Sequence, residues 1–429
     1  MSEKGTLQFY FFALAPTGEG ISGSDRIFIE LARNWSEHTP VTIFTTEEGI
    51  KMVKRQKLKG RLLKVEKVEK GKLPVNFFFK YLYKIFLGIN LGLSLQITNQ
   101  RSQVTFIYSS SEFWMDSLPA LILKIRHPNI KWIAAWYQTA PNPLQGFEEN
   151  STKVKVQRTP LESPRLLTGQ GGRRQSRYSL SALFYWLMQF PIKPLMSKFA
   201  DKIIVNNKQE KKQFPNYTKR GDTIVLIGAV PLKEIENWKT SASSSLKIGN
   251  LPKVYDAVFQ GRFHPQKGVV ELIDIWKKVV EKIPYAKLAM IGDGPLMNKV
   301  KLQISNYKLQ NNIVLFGYLF DGEEKYKIFS QSKIVVHPAY YDSGGMAAAE
   351  AMAFGVACVG FNLKAYNSYY PEGMIKAKIG DLDSFAHKIT ELIDNPKLRK
   401  DLGDKAKAMI YKNYSWDARA KEILQKIIN

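Results

Sequence analysis

Short apolar runs alternate along the chain with longer stretches in which apolar residues recur every three or four positions, and the plan occurs twice. In the first half LQFYFFALAP, VTIFTT, VTFIYSS, KWIAAWY, KIIVNN and TIVLIG read as strands with helical segments between several of them. The second half repeats this with YDAVFQGR, AKLAMIGDG, NIVLFGY, KIVVHPA and VACVGF, interleaved with helices such as VVELIDIWKKVVEKI and EEKYKIFSQ. Nearly continuous apolar runs separated by helices belong to parallel sheets covered on both faces. The simplest architecture is therefore α/β, with two doubly wound domains in tandem. A Ser-rich stretch, KTSASSSLKIGN (239–250), marks the boundary between them. A second irregular stretch, about 141–177, is too long for a routine connection and reads as a functional or mobile loop.

Composition narrows the class. With 429 residues the chain is too long for one ordinary core, and 45% apolar with 24% charged residues excludes a disordered or fibrous protein. The 63 basic residues outnumber the 38 acidic ones, giving a formal charge of +25, and residues 1–250 carry 37 of the former against 19 of the latter. An acidic partner follows from that excess. Its densest part, Lys51 to Lys84, runs into the aromatic segment 76–93, while Arg173, Arg174 and Arg177 lie beside a second one, 178–190. Basic residues next to aromatic helical patterns suit an anionic lipid surface. For 76–93 a membrane-contacting helix and a core helix stand as equal alternatives; 178–190 reads as a core helix leading into the next strand. Zinc spacing, RNA-binding aromatic motifs and a helix-turn-helix pattern are all missing, so nucleic acid is not the expected partner. Cys358 alone can form neither an internal disulfide nor a thiolate metal cluster. The amino-terminal apolar run reads as a first buried strand rather than a signal peptide, and no uncharged apolar run reaches the roughly twenty residues that a membrane span needs.

In doubly wound sheets ligands bind beyond the carboxyl ends of the strands. The first strand-to-helix junction, Gly18-Glu19-Gly20-Ile21-Ser22-Gly23, has dinucleotide-type glycine spacing but lacks a well-placed acidic partner for a ribose. It reads as a glycine turn whose amides, Gly20 among them, can approach a phosphate or sugar. In the second half Gly261-Arg262-Phe263-His264-Pro265-Gln266-Lys267-Gly268 puts an arginine fork and a lysine in one loop, suited to a diphosphate. Downstream, Asp342-Ser343-Gly344-Gly345 leads into the Ala-rich helix of Met346, with Glu350 a turn further on and able to accept hydrogen bonds from hydroxyls.

From Tyr255 to Asp417 these residues resemble the donor-binding half of a retaining GT-B glycosyltransferase of family four, the glycosyl transferases group 1. GRFHPQKG (261–268), IGDGP (291–295), VLFGY (314–318), the D-x7-E run from Asp342 to Glu350 with AMAFG, and YSWDARA (414–420) carry the resemblance. GEGISGS (18–24), SSSEFWMDSLPA (109–120) and FADKIIVNN (199–207) resemble the family's acceptor domain, and YYPEGMIK (369–376) with KWIAAWYQTAPNP (131–143) is similar to archaeal-type members.

The resemblance implies two Rossmann-like domains facing each other across a cleft. Residues 1–235 would bind acceptor, 236–252 would link, 253–411 would bind donor, and the helix at 412–429 would pack back on the first domain. It implies that Arg262 and Lys267 neutralise the diphosphate, Glu350 holds the ribose and Asp342 contacts the donor sugar in the place of a glutamate. Gly20, Gly261, Gly292, Ser343, Gly344, Gly345 and Met346 would line the donor site. On the acceptor side Tyr137 and Gln138 stand where a histidine is common in the family. The expected reaction is metal-independent retaining transfer from a nucleotide sugar, without a cofactor. The basic, aromatic first half points to a lipid-linked saccharide or other membrane-lipid acceptor at the cytoplasmic, inner membrane face. A soluble sugar or sugar-phosphate acceptor, or nucleotide-sugar binding without transfer, are the alternatives. Oligomeric state is not legible.

Overall fold

The computed structural model describes residues 6–17, 21–97, 103–140, 183–243, 252–342 and 344–429. The chain divides into two compact units. One runs to Gly228 and regains Trp416–Asn429; the other includes Ala229–Ser415. The first holds a seven-stranded sheet of β1 (Thr6–Ala13), β2 (Val41–Thr45), β3 (Leu63–Lys67), β4 (Gln103–Ser109), β5 (Lys131–Trp136), β6 (Lys202–Val205) and β7 (Thr223–Val225), in the order β3-β2-β1-β4-β5-β6-β7. The second holds β8 (Tyr255–Gln260), β9 (Leu288–Ile291), β10 (Ile313–Gly317), β11 (Ser332–His337), β12 (Ala357–Phe361) and β13 (Met374–Ala377), in the order β10-β9-β8-β11-β12-β13. Every pairing is parallel, with Phe11 opposite both Ile43 and Tyr108, and Val335 opposite both Val258 and Cys358. The order reverses beside β1 and beside β8, so a crevice opens at the carboxyl ends of those strands.

The central strands form because their side chains are apolar on both faces. Phe9, Phe11, Phe106 and Trp132 fill the first sheet; Phe259, Trp276, Ile334 and Phe385 fill the second. The edge strands differ. β3 (LKVEK) and β13 (MIKA) pair in register with β2 and β12 but were not expected from the sequence, because both are short edge strands without a long apolar run, β3 carrying two lysines and a glutamate and β13 a lysine.

Local signals set the helix ends. Ser22 Oγ accepts from Asp25 N (3.2 Å) while the Asp25 carboxylate accepts from Ser22 N (2.9 Å), a capping box that starts helix Gly23–Trp35. At the far end of the chain, helix Trp416–Ile428 packs on that same helix, and the Trp35 indole donates to the carbonyl of Ala420 (2.9 Å).

Three boundary expectations change. Helix Leu232–Ser243 runs through the first part of the expected linker and belongs to the second unit, where the Trp238 indole packs against Tyr326 and Phe354. Helix Pro396–Asn413 also belongs there, so the returning segment starts at Trp416 rather than at 412. The helix at 183–189 is not a covered core helix, since Leu183, Trp186, Leu187 and the following Phe190 are exposed. The loop 141–177, the arginine cluster at 173–177 and the remainder of the Ser-rich stretch, 244–250, lie outside the described residues.

Candidate active site

Two loops at the carboxyl ends of neighbouring strands build the site in the second unit. The loop after β8 turns through Pro265–Lys267 and ends at Gly268, whose φ of 62° and closeness to β11's loop admit no side chain. A Cβ there would lie 2.0 Å from the Pro338 carbonyl oxygen. That approach lets Gln266 O accept from Tyr340 N (2.9 Å) and brings Lys267 to the loop after β11. The result is an ion pair that the separation in sequence did not reveal: Lys267 Nζ lies 2.5 Å from Asp342 Oδ2.

Asp342 is bound on every side. His337 Nε2 is 2.9 Å from the same Oδ2, and the amides of Gly344 and Gly345 donate to Oδ1 at 3.1 and 3.0 Å. Burial alone would raise its pKa, but the Lys267 ammonium, followed by His337, holds the carboxyl well below the usual carboxylate range. The structure thus aims Asp342 at four internal donors, where the family resemblance implies contact with the donor sugar. The two glycine amides expected to meet a donor are its partners. Tyr370 fixes the same turn from below, its hydroxyl donating to the carbonyls of Gly344 and Gly345 at 2.8 Å each.

Arg262 is in a different condition. Its guanidinium has no hydrogen-bonded or ion-paired partner among the described residues. His264, between the two cations in the loop, reports their joint field: burial, then Arg262 and Lys267, push its imidazole down to about 4. Both cations thus act on His264, Lys267 while paired with Asp342 and Arg262 without a partner among the described residues.

Glu350 rises from helix Met346–Met352 to a third group that the sequence did not single out. Its Oε2 accepts from Lys325 Nζ at 2.6 Å and from Gln260 Nε2, at the end of β8, at 3.2 Å. Lys325 also pairs with Asp321 and is only 1% exposed. Gly261 and Gly292 serve the framework: Gly292 has φ 143°, and a Cβ on it would lie 1.9 Å from the carbonyl oxygen of Gly261. This contact keeps the ends of β8 and β9 together under the cationic loop. Met346 opens the helix of Glu350. Gly20 and Ser343 lie outside the described residues.

The first unit has its own polar cluster where β4 and β5 end. The hydroxyl of Tyr137 is paired with that of Tyr108 and is buried, so it faces inward. The carbonyl of Gln138 accepts from Gln189 Nε2 (2.5 Å) and Tyr185 OH (3.2 Å), and both donors also reach the carboxylate of Glu112. Burial pushes the Glu112 carboxyl up. Nearby Asp116, also buried, accepts from Ser110, Ser111 and the amides of Leu14 and Ala15, and burial raises it to about 6. Neither carboxylate was singled out in the sequence, where SSSEFWMDSLPA (109–120) was noted only as a segment resembling the family's acceptor domain.

Two parallel Rossmann-like sheets in one chain, with a cationic loop at the switch point of the second, define a GT-B fold. Residues 245–409 match the family described as Glycosyl transferases group 1. Among curated proteins, the poly(ribitol-phosphate) alpha-N-acetylglucosaminyltransferase of Staphylococcus aureus (strain COL) is 29% identical over 52% of this chain. The chain spans about half the length of that relative, 46%. Among solved structures, sucrose-phosphate synthase from Thermosynechococcus elongatus superimposes with a TM-score of 0.67 at 16% identity, covering 98% of each chain. The Anabaena protein Alr3699/HepE, in complex with UDP and glucose, does so with a TM-score of 0.64 at 12% identity, covering 99% of this chain and 100% of that one.

Proposed function

We propose that this chain is a glycosyltransferase that moves a sugar from a nucleotide-sugar donor with retention of configuration and without a metal ion. The observation that carries the reading is a loop at the end of β8 holding Lys267, bound to Asp342, and an Arg262 guanidinium without a partner among the described residues, next to Gln260, which donates to Glu350. In the reaction the bond from the sugar's anomeric carbon to the diphosphate breaks with its electron pair leaving on the phosphate oxygen. The acceptor hydroxyl bonds to the same carbon on the same face, and its proton passes to the departing phosphate. Arg262 and Lys267 sit where that phosphate gathers charge, and so favour the transition state over the bound donor. Glu350 holds the ribose, and Asp342 orients Lys267 and the Gly344–Gly345 turn. Support for a uridine nucleotide comes from Alr3699/HepE, which is bound to UDP, and support for retention from the alpha linkage in the name of the Staphylococcus relative.

The acceptor in this reading is a lipid-linked saccharide or other membrane lipid, approached from the cytoplasmic face. Helix Phe77–Ser94 packs on helix Trp114–Arg126 yet leaves Phe78, Phe79, Leu82, Phe86 and Leu93 outward, with Phe79 62% and Phe86 56% exposed. Phe77 and Tyr81 touch Phe184, which joins this face to exposed Trp186, Leu187 and Phe190. Residues 1–250, to which this face belongs, carry 37 basic against 19 acidic residues. Among the described residues no helix is long and apolar enough to cross a membrane. Lysines are not all available to lipid: Lys84 is buried on Glu48 (2.9 Å) and the Pro16 carbonyl (2.6 Å). The second reading, a soluble phosphate-bearing acceptor, rests on the same positive charge and on the poly(ribitol-phosphate) named for the Staphylococcus relative.

Thermal melting against UDP, GDP, ADP and TDP sugars, followed by an assay of sugar transfer with EDTA present, tests the donor half of the proposal. Turnover undiminished in Arg262→Ala and Glu350→Ala refutes the site. Binding without turnover on any acceptor leaves a nucleotide-sugar-binding protein. Flotation with anionic liposomes at low and high salt divides the two acceptors, because only the lipid reading expects salt-sensitive binding.

A further inference from the structure

We infer that Lys325 is a positioning residue for nucleotide recognition, one that sets which oxygen of Glu350 is offered to the ribose; this rests on the donor-site reading above. A lysine in the segment EEKYKIFSQ looks like a solvated helix face, yet its ammonium is buried between two carboxylates that approach it from different elements, Asp321 one turn earlier and Glu350 from helix Met346–Met352. Burial alone would lower its pKa, but Glu350 first and Asp321 next hold it above the ordinary lysine value, so the ammonium is charged. Burying a lysine here is costly for the fold unless the pair is well made, and hydrophobic residues of similar volume would serve stability as well or better. The placement has a consequence for the site. Lys325 and Gln260 both bind Oε2 of Glu350, and among the described residues Oε1 has no partner. One oxygen is clamped and the other is presented. Oriented in this way the carboxylate can accept from a ribose hydroxyl without the entropy loss of fixing a free side chain.

A site built to hydrogen-bond a hydroxyl rejects the analogue that lacks it. Titration calorimetry with UDP and 2′-deoxy-UDP reads this as a ratio of affinities within one protein, which a partly destabilised fold does not change. Wild type is expected to prefer UDP by about tenfold. In Lys325→Met the preference should fall below about twofold, with affinity for inorganic pyrophosphate unchanged, since that probe needs only Arg262 and Lys267. Lys325→Arg keeps the charge between the two carboxylates but moves the donor atoms, and should show an intermediate ratio. If Lys325→Met does not fold, Lys325→Arg decides alone. An unchanged ratio in the folded variants overturns the inference and leaves the donor reading standing. A wild type that binds UDP without preferring it over the deoxy form removes the ribose role of Glu350, and a wild type that binds no nucleoside diphosphate removes the donor reading itself.

Discussion

Replacing Asp342 by asparagine tests the electrostatics of the second unit most directly. The carboxylate compensates Lys267 and His337 and accepts two backbone amides, and an isosteric amide keeps the volume while removing the charge. Stripping one partner from a buried pair costs about 3–5 kcal/mol. Lys267 retains 18% side-chain exposure against 8% for Asp342, so part of its charge is recovered by water and the lower end, about 3 kcal/mol, applies. For a unit of this size that corresponds to a fall in melting temperature of about 6–12 °C, measured by calorimetry on the unliganded protein. The pH dependence is fixed by the direction of the shift. A carboxyl whose folded pKa is depressed stabilises above its unfolded value of 3.8 and loses that stabilisation only as pH falls further toward the folded value. The gap between wild type and variant should therefore be constant from pH 7 to about pH 4 and close only below it. A melting difference under about 1 °C at neutral pH, or a gap that already closes between pH 7 and 5, would refute the reasoning.

Three other outcomes follow from the same geometry. Arg262→Ala should weaken UDP binding about 10- to 100-fold, the loss of one or two charge-assisted hydrogen bonds, while leaving the unliganded melting temperature unchanged because the guanidinium has no partner among the described residues to lose; calorimetry measures both. The His264 imidazole, pushed down to about 4 by burial and two cations, should titrate at higher pH once a nucleoside diphosphate is bound, as its anion offsets those cations, and NMR titration with and without UDP shows the sign. Substituting Phe79→Asp together with Phe86→Asp should abolish flotation with anionic liposomes without changing the melting temperature; retained flotation would remove this face as the lipid surface.

The central strands were legible because burial on both faces leaves unbroken apolar runs such as the FYFFA of β1 and the IVV of β11 in place of alternation. The rims were not. β3 was read as part of a charge cluster, since LKVEK places lysines and a glutamate on the positions that face water. The cationic loop and Glu350 were visible as residue types at strand ends. Their mutual arrangement was hidden, because the Lys267–Asp342 pair spans 75 residues and depends on a backbone approach that only Gly268 permits. Lys325 could not have been found by pattern: a lysine beside two glutamates and a second lysine on a helix carries the signature of a solvated surface, and burial is decided by the elements that close over it. The exposed aromatic face of helix Phe77–Ser94 shows the converse, an apolar pattern that does not imply a core.

The return of helix Trp416–Ile428 to the helix of Trp35 makes the amino-terminal unit discontinuous, closed by residues made after the second unit. A ribosome must synthesise the whole of Ala229–Ser415 before Ala420, Ile423 and Ile427 can cover their place on the earlier unit. Until then the earlier unit lacks that cover, and removing helix Trp416–Ile428 would expose the apolar face of the helix of Trp35, which is encoded about 385 residues upstream.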